Sequence, residues 1–445
     1  MEASTSNQTS INYVAPIAQK DRILFLDCIR GVALLGILIM NITAQGQSFM
    51  LYESMDVRHS LTGINFYAWG IETFLFEGTM RGLFSMLFGA GTLLLLNRLQ
   101  KNNSGLLPAD IYYRRLLWLL VFGLINAYLL LWPGDILYPY ALAGLLLFPF
   151  RNLSVKKLLI AAFIVLSIAA YKETSYLYSK KEIIVQGRAA EVLVAKKQTL
   201  NDEQKTFLGK WTELKKNGTS DSLPARIAED EKKLIHKNYA QIFKYFTDTN
   251  INIQSRGFYL FNIWDALLFF FIGMALFKNG FITGTKSTGT YLLTAVIGIS
   301  IGLLLNYIDL SAKYKLRFDD IKFTEQAKFG FYEIRRVFQS VGYLSLLVLV
   351  YKSWIGKKFM GIFAPIGQMA FTNYLSQSII TAIIFYGLGL FATLERYQLY
   401  YVMGSIWLFQ IIFSHIWLRY FRLGPFEWLW RSLTYWKRQP LKKEI

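Results

Sequence analysis

Residues 23–44 read Ile-Leu-Phe-Leu-Asp-Cys-Ile-Arg-Gly-Val-Ala-Leu-Leu-Gly-Ile-Leu-Ile-Met-Asn-Ile-Thr-Ala. As a helix this stretch is about 33 Å long, enough to cross a bilayer core of about 30 Å. Its only charges are Asp27 and Arg30, near one end. The residues before it, Met1 to Lys20, are polar and lack the basic-then-apolar order of a cleavable signal. The stretch is therefore expected to be a retained membrane helix.

Nine further apolar runs follow, near Gly82–Asn97, Leu116–Leu131, Asp135–Phe150, Leu158–Tyr171, Phe258–Phe277, Tyr291–Tyr307, Val337–Tyr351, Ile362–Phe391 and Leu399–Trp417. The expected fold is all-α, a polytopic transmembrane bundle of about ten spans. Gly63–Glu77 reads as an extra interfacial or re-entrant helix. Between the halves, Lys172 to Arg256 is highly charged with helical patches. The expected organisation is a polar N-terminus (1–22), a first membrane half (23–171), an extracytoplasmic helical insert (172–257), a second membrane half (258–420) and a basic interfacial tail (421–445).

Alternate short connections differ in charge. One set, with the tail, carries 21 Lys and Arg, against 9 in the opposite set. Cytoplasmic loops hold the excess of cations, so both termini are expected in the cytoplasm. Long translocated loops escape this rule, so the charged insert is compatible with the far side.

Composition agrees with lipid as the solvent: 54% of residues are hydrophobic and only 17% charged, against about 25% charged in soluble domains. The net charge of +19 sits at the ends of apolar runs. It reads as topology signals and contact with anionic lipid rather than nucleic-acid binding. Cys28 is the only cysteine, which excludes an intramolecular disulfide and a cysteine metal cluster. No Walker loop, dinucleotide fingerprint, zinc motif or G-x-S-x-G elbow is present. No metal and no tightly bound cofactor are expected.

Polar residues inside apolar runs are the candidates for function, because charge in a membrane is costly and faces a bundle interior or a watery cavity. Asp27, Arg30 and Asn41 share one face of the first span, since eleven steps of 100° bring Asn41 within about 20° of Arg30. They line a polar pathway, or Asp27 and Arg30 simply pair. Asn373, Gln377 and Thr381 recur every fourth residue as a stripe that serves as interhelical glue or as a cavity lining. Asp135, after Trp132-Pro133-Gly134, is placed to cap a helix, and also to act as a base at a pocket mouth. Glu77 and Arg81 are spaced as a local ion pair, with Arg81 also a candidate for substrate. His59, in the first external loop, is a second candidate base. Glu427 and Arg431 are an i, i+4 pair in a Trp-rich interfacial helix.

Several stretches together resemble the YeiB-like bacterial membrane family, long known only as a domain of unknown function. They are the run from Arg22 to Asn41, Arg81-Gly-Leu-Phe-Ser-Met-Leu-Phe-Gly-Ala-Gly91, Leu131-Trp-Pro-Gly-Asp-Ile-Leu-Tyr-Pro-Tyr-Ala141, Gly367-Gln-Met-Ala-Phe-Thr-Asn-Tyr-Leu-Ser-Gln377 and Gly424-Pro-Phe-Glu-Trp-Leu-Trp-Arg431. That family is distantly similar to membrane acyltransferases, including the lysosomal heparan glucosamine N-acetyltransferase. The resemblance implies a protein of the bacterial inner membrane that moves an acyl group from cytoplasmic acyl-CoA to an acceptor on the far side. Many relatives carry histidine where this chain has Asn126, and asparagine is no base at neutral pH.

On this expectation Arg30, Arg114 and Arg115 receive the acyl-CoA, His59 or Asp135 takes the acceptor's proton, and Asn41, Asn373 or Gln377 stabilises the oxyanion. The expected partners are the bilayer, acyl-CoA and an extracytoplasmic hydroxyl or amine, with a homo-oligomer left open. A permease for a small polar or anionic molecule is the alternative. A non-enzymatic subunit whose charged insert binds a partner is the third.

Overall fold

A computed structural model describes residues 23–52, 55, 62–102 and 105–443. Among them the chain is helical, with no strand and one isolated antiparallel bridge between Phe421 and Lys442. The first part holds α1 (Leu24–Gly46), α2 (Ile64–Ile71), α3 (Thr79–Asn102), α4 (Leu107–Leu124) and α5 (Leu137–Leu145). The 41-residue α6 (Val155–Ala195) packs on the bundle through Leu158, Ala162 and Val165. Its far half joins α7 (Asp202–Gly218) through Ile184 and Trp211. Then come α8 (Leu223–Lys232) and α9 (Tyr239–Asn252). The second part holds α10 (Ile263–Lys278), α11 (Thr288–Lys315), α12 (Asp320–Gln326), α13 (Tyr332–Lys352), α14 (Trp354–Gly361), α15 (Ala364–Gln368), α16 (Ala370–Ala382), α17 (Arg396–Tyr420) and α18 (Pro425–Tyr435).

The bundle has two distinguishable ends. At the cap face, Ser48 beyond α1 donates to Asp230 on α8 (2.5 Å), and Leu51 packs on Leu223 and Ile227. Within the cap, Glu191 accepts from Lys215 and Trp211, which hold its carboxyl below the ordinary range. At the tail face, α18 packs against α4 and α16. Gly31 and Gly367 let α1 and α15 touch there: a Cβ on either would collide with the other segment's backbone.

Among the described residues, six helical stretches are long and apolar enough to cross a membrane: Leu24–Gly46, Ile64–Lys101, Tyr239–Lys278, Thr288–Lys315, Tyr332–Lys352 and Arg396–Tyr420. The sequence suggests about ten; the runs near Leu116–Leu131, Asp135–Phe150, Leu158–Tyr171 and Ile362–Phe391 do not appear among these stretches. The run near Asp135–Phe150 forms only the nine-residue α5 and a short 3-10 turn, and the run near Ile362–Phe391 is divided between α15, α16 and a π turn. Leu158–Tyr171 is the start of α6, which continues into the charged segment.

Among the described residues, four segments widen into π-helix: Glu72–Phe76, Ile125–Leu129, Ile253–Asn262 and Ile383–Gly387. Such turns leave carbonyls without their helical donors, and an apolar surrounding requires replacements. Side chains supply them. Asn306 donates to the carbonyls of Thr73 (3.0 Å) and Phe74 (2.8 Å), and Tyr343 to that of Leu75 (2.9 Å). Asn250 donates to Ala127 (2.8 Å) and Tyr239 to Leu129 (2.8 Å).

Candidate functional site

α4 and α5 form a helical hairpin whose connecting loop contains Asp135. Its carboxylate caps α5, accepting from the Tyr138 amide at 2.8 Å. The cap expected from sequence is therefore present, but Asp135 does more. Its Oδ1 accepts from Asn126 Nδ2 (2.7 Å), in the π turn after α4, and from Tyr374 Oη (3.2 Å) on α16. Tyr374 in turn accepts from the Ile136 amide at 3.0 Å. Asp135 is 9% exposed, and the donors bonded to it are neutral. Beside it two buried atoms lack a hydrogen-bond partner: the Trp132 indole N–H and Asn126 Oδ1. A carboxylate flanked by one free donor and one free acceptor can take a proton from a hydroxyl or amine and hold its polar neighbours.

Toward the tail face the same helices reach a cationic group. Arg115, eleven residues before Asn126, lies about 16 Å below it along α4. Its guanidinium stacks on Trp430 of α18 at 3.6 Å, and its carbonyl accepts from the Trp430 indole at 2.9 Å. Arg431 and Arg30 lie close enough to repel its charge. Arg114 pairs with Asp110 and covers Trp436 at 5.0 Å. Arg30 pairs with Asp27 at 2.8 Å. Between the two centres runs an aromatic column of Phe122, Phe371 and Trp430. Arg30, Arg115 and Arg431 thus come together, whereas Asn41 is buried eleven residues further along α1.

The other candidates lie elsewhere. Asn373 donates to Ser414 (2.9 Å) and Gln377 to Gln410 (3.1 Å), both on α17. Gln410 donates back to the Asn373 carbonyl at 2.7 Å. The α16 stripe is engaged in joining helices, and Thr381 is bonded within its own helix. Arg81 belongs to a buried ionic cluster. It pairs with Asp265 (3.2 Å), which also binds Arg336 (2.7 Å); Arg336 binds Glu333 (2.9 Å), and Arg335 binds Glu77 (2.8 Å). The local Glu77–Arg81 pair suggested by spacing is replaced by these long-range ones, because the chain breaks at Gly78 (φ +70°), whose carbonyl accepts from Arg336. Glu427 likewise turns away from its i+4 neighbour and accepts from the amides of Phe371 (2.7 Å) and Thr372 (3.0 Å) at the start of α16. His59 lies outside the described residues.

Sequence reasoning missed Tyr374, Asp265, Arg336 and Glu72. Glu72 is buried in a π turn with Arg396 (2.9 Å), Tyr400 (2.5 Å) and Thr43 (3.1 Å). Asp265 and Glu72 were findable as lone acids inside apolar runs.

Comparison with known proteins gives a family but no chemistry. Residues 276–437 match the model of a protein family of unknown function, DUF418. Uncharacterized protein YeiB of Escherichia coli K12 is 29% identical over 93% of this chain and 96% of its own length. Uncharacterized protein YxaH of Bacillus subtilis 168 is 30% identical over 96% of this chain and 98% of its own. The chain belongs to the YeiB-like family. An uncharacterized 39.9 kDa protein of Bacillus acidopullulyticus is 26% identical over 96% of this chain. No solved structure matches significantly. The YeiB-like similarity runs through both the Asp135 hairpin and α16, so the two halves of this centre fall within the shared chain.

Proposed function

We propose that this YeiB-like protein is a membrane acyltransferase. It takes an acyl group from acyl-CoA at the tail face and gives it to a hydroxyl or amine of a glycan, lipid or small molecule arriving from the cap face. The observation that carries the reading is the buried Asp135 carboxylate, held by neutral donors, one of which is Asn126, about 16 Å along the helix from Arg115. Arg30, Arg115 and Arg431 provide guanidinium groups for the phosphates of the donor. A pantetheine arm then runs along Phe122 and Phe371 toward Asp135.

In the step itself Asp135 accepts the acceptor's proton as its oxygen or nitrogen bonds to the thioester carbon. The carbon–sulfur bond breaks, and the proton passes to the leaving thiolate. The buried Trp132 indole N–H, which lies near the Tyr374 hydroxyl, is the donor available to the oxyanion. Asn373 and Gln377 are not used, since their amides hold α17. Asn126, where many relatives carry histidine, orients Asp135 and leaves the carboxylate as the base. The accompanying topology puts both termini and the tail face in the cytoplasm of a bacterial inner membrane, with segment 172–257 outside.

A permease is the second reading. The helix broken at Gly78, beside six buried or half-buried charges, has the form of a discontinuous helix at a transport site.

The test is saturable binding of acetyl-CoA and longer acyl-CoAs to the purified protein in nanodiscs, with release of free thiol on adding candidate acceptors. Binding lost in Arg115→Gln supports the transferase. No binding at any chain length, with folded protein, overturns it in favour of uptake measurements.

A further inference from the structure

α14 is eight residues, about 12 Å, and cannot cross a membrane. Two of its residues, Gly356 and Met360, are buried against the bundle. At 100° per residue, Trp354 (72% exposed), Ile355 (74%) and Phe359 (58%) fall within one arc of about 140° that the bundle leaves uncovered. The helix is thus apolar on two faces, and the bundle covers only one. Lys358 stands between Trp354 and Ile355 on that arc, and Lys357 lies just beyond Trp354. Lys358 lies over the Trp354 ring at 3.9 Å, Lys357 over Tyr351 at 5.9 Å, and Lys352, just before the helix, over Tyr291 at 4.8 Å.

These lysines lack counter-charge. The chain has no acidic residue between Glu333 and Glu395, and Lys352, Lys357 and Lys358 are the only charged residues between Arg336 and Glu395. None of the three forms an ion pair among the described residues; Lys352 donates instead to the Lys286 carbonyl at 2.7 Å. An exposed Trp/Ile/Phe face beside unneutralised ammonium groups has the chemistry of the headgroup boundary. There the rings and aliphatic chain enter the acyl region, and the lysine stems reach out to phosphate.

We infer that α14 lies in the plane of the membrane and forms a binding site for an anionic phospholipid. The headgroup phosphate is held by Lys357 and Lys358, and the acyl chains lie on Trp354, Ile355 and Phe359. Charge complementarity selects this occupant over a zwitterionic lipid. Because α14 packs on α1, the bound lipid also sets the depth of the tail face. The inference is independent of the acyltransferase reading.

The experiment is native mass spectrometry of the full chain released from micelles containing equal phosphatidylglycerol and phosphatidylcholine. The wild type is expected to retain phosphatidylglycerol preferentially. Lys357→Gln with Lys358→Gln should weaken that retention about 30-fold, the equivalent of roughly 1 kcal/mol per lysine. Equal retention of both lipids by the wild type overturns the proposal, as does unchanged retention by a folded double variant. Should the double variant not fold, a spin label at Ile355→Cys in reconstituted protein decides the placement. Collision with oxygen rather than with a water-soluble nickel chelate is expected, and the reverse overturns it.

Discussion

The molecule buries some carboxylates against guanidinium groups and others, Asp135 and Glu427, against neutral donors alone, and the contrast bears on which can exchange a proton. In the cluster at the start of α3 and α13 each acid faces a guanidinium: Asp265 faces Arg81 and Arg336, Glu333 faces Arg336, and Glu77 faces Arg335. Asp135 is held by an amide, a phenol and a backbone N–H. A charge matched by an opposite charge is fixed in place and reluctant to exchange a proton. A carboxylate held only by neutral dipoles is ordered but still able to accept one. Losing a partner should therefore harm the fold in the cluster and the reaction at Asp135.

The sharpest test is Asp135→Asn. Removing a general base lowers transfer by about 10²–10⁴-fold. The amide keeps the shape but faces two donors with its own N–H₂, so stability should fall by only about 1–2 kcal/mol. Thiol release and thermal unfolding of the same preparation measure both. A variant that unfolds while residual folded protein stays fully active would make Asp135 a cap and nothing more. Arg336→Ala reverses the pattern. It strands Glu333 in the bundle and leaves Asp265 with Arg81 alone, and breaking a buried pair costs about 3–5 kcal/mol. Denaturant unfolding in mild detergent should show that loss. A stable Arg336→Ala protein with altered uptake of a small solute would move the functional centre to the cluster and favour the permease.

Arg115→Gln sharpens the same comparison from the tail face. Loss of a charged hydrogen bond costs about 1.5–3 kcal/mol, or roughly 10- to 150-fold in acyl-CoA affinity. Binding titration checks it, and Arg114→Gln serves as control because its guanidinium is already paired with Asp110. Equal losses in the two variants would mean that general positive charge, rather than the grouping of Arg30, Arg115 and Arg431, attracts the donor.

Much of this was legible in the sequence. The all-helical membrane fold followed from the apolar runs, and the cap at Asp135 followed from Pro133 and Gly134. What escaped is long-range. Spacing sees Glu77 beside Arg81 and Glu427 beside Arg431, but the chain turns at Gly78 and α18 docks on α16, so each acid bonds a partner hundreds or tens of residues away. Tyr374 lies within the Gly367–Gln377 stretch, but only tertiary contact brings its phenol to Asp135. The breaks that turn apolar runs into short helices and π turns leave no clear periodic mark, which is why span counting and the folded chain diverge.

The α16 stripe offers the smallest effect and a separate control. On sequence grounds Asn373 and Gln377 fitted a cavity as well as a helix contact. In the fold Gln377 bonds Gln410, and Gln410 holds the Asn373 carbonyl. Hydrogen bonds between membrane helices are worth about 0.6 kcal/mol on average, since an unfolded chain in lipid also finds partners. Gln377→Leu fills similar volume and removes one such bond. Stability should therefore fall by about that amount, with acyl-CoA binding and transfer unchanged. Thermal unfolding and thiol release on one sample measure both. A large loss of transfer at wild-type stability would return the stripe to the substrate path and place the reacting carbonyl between α16 and α17 rather than against the α4–α5 hairpin.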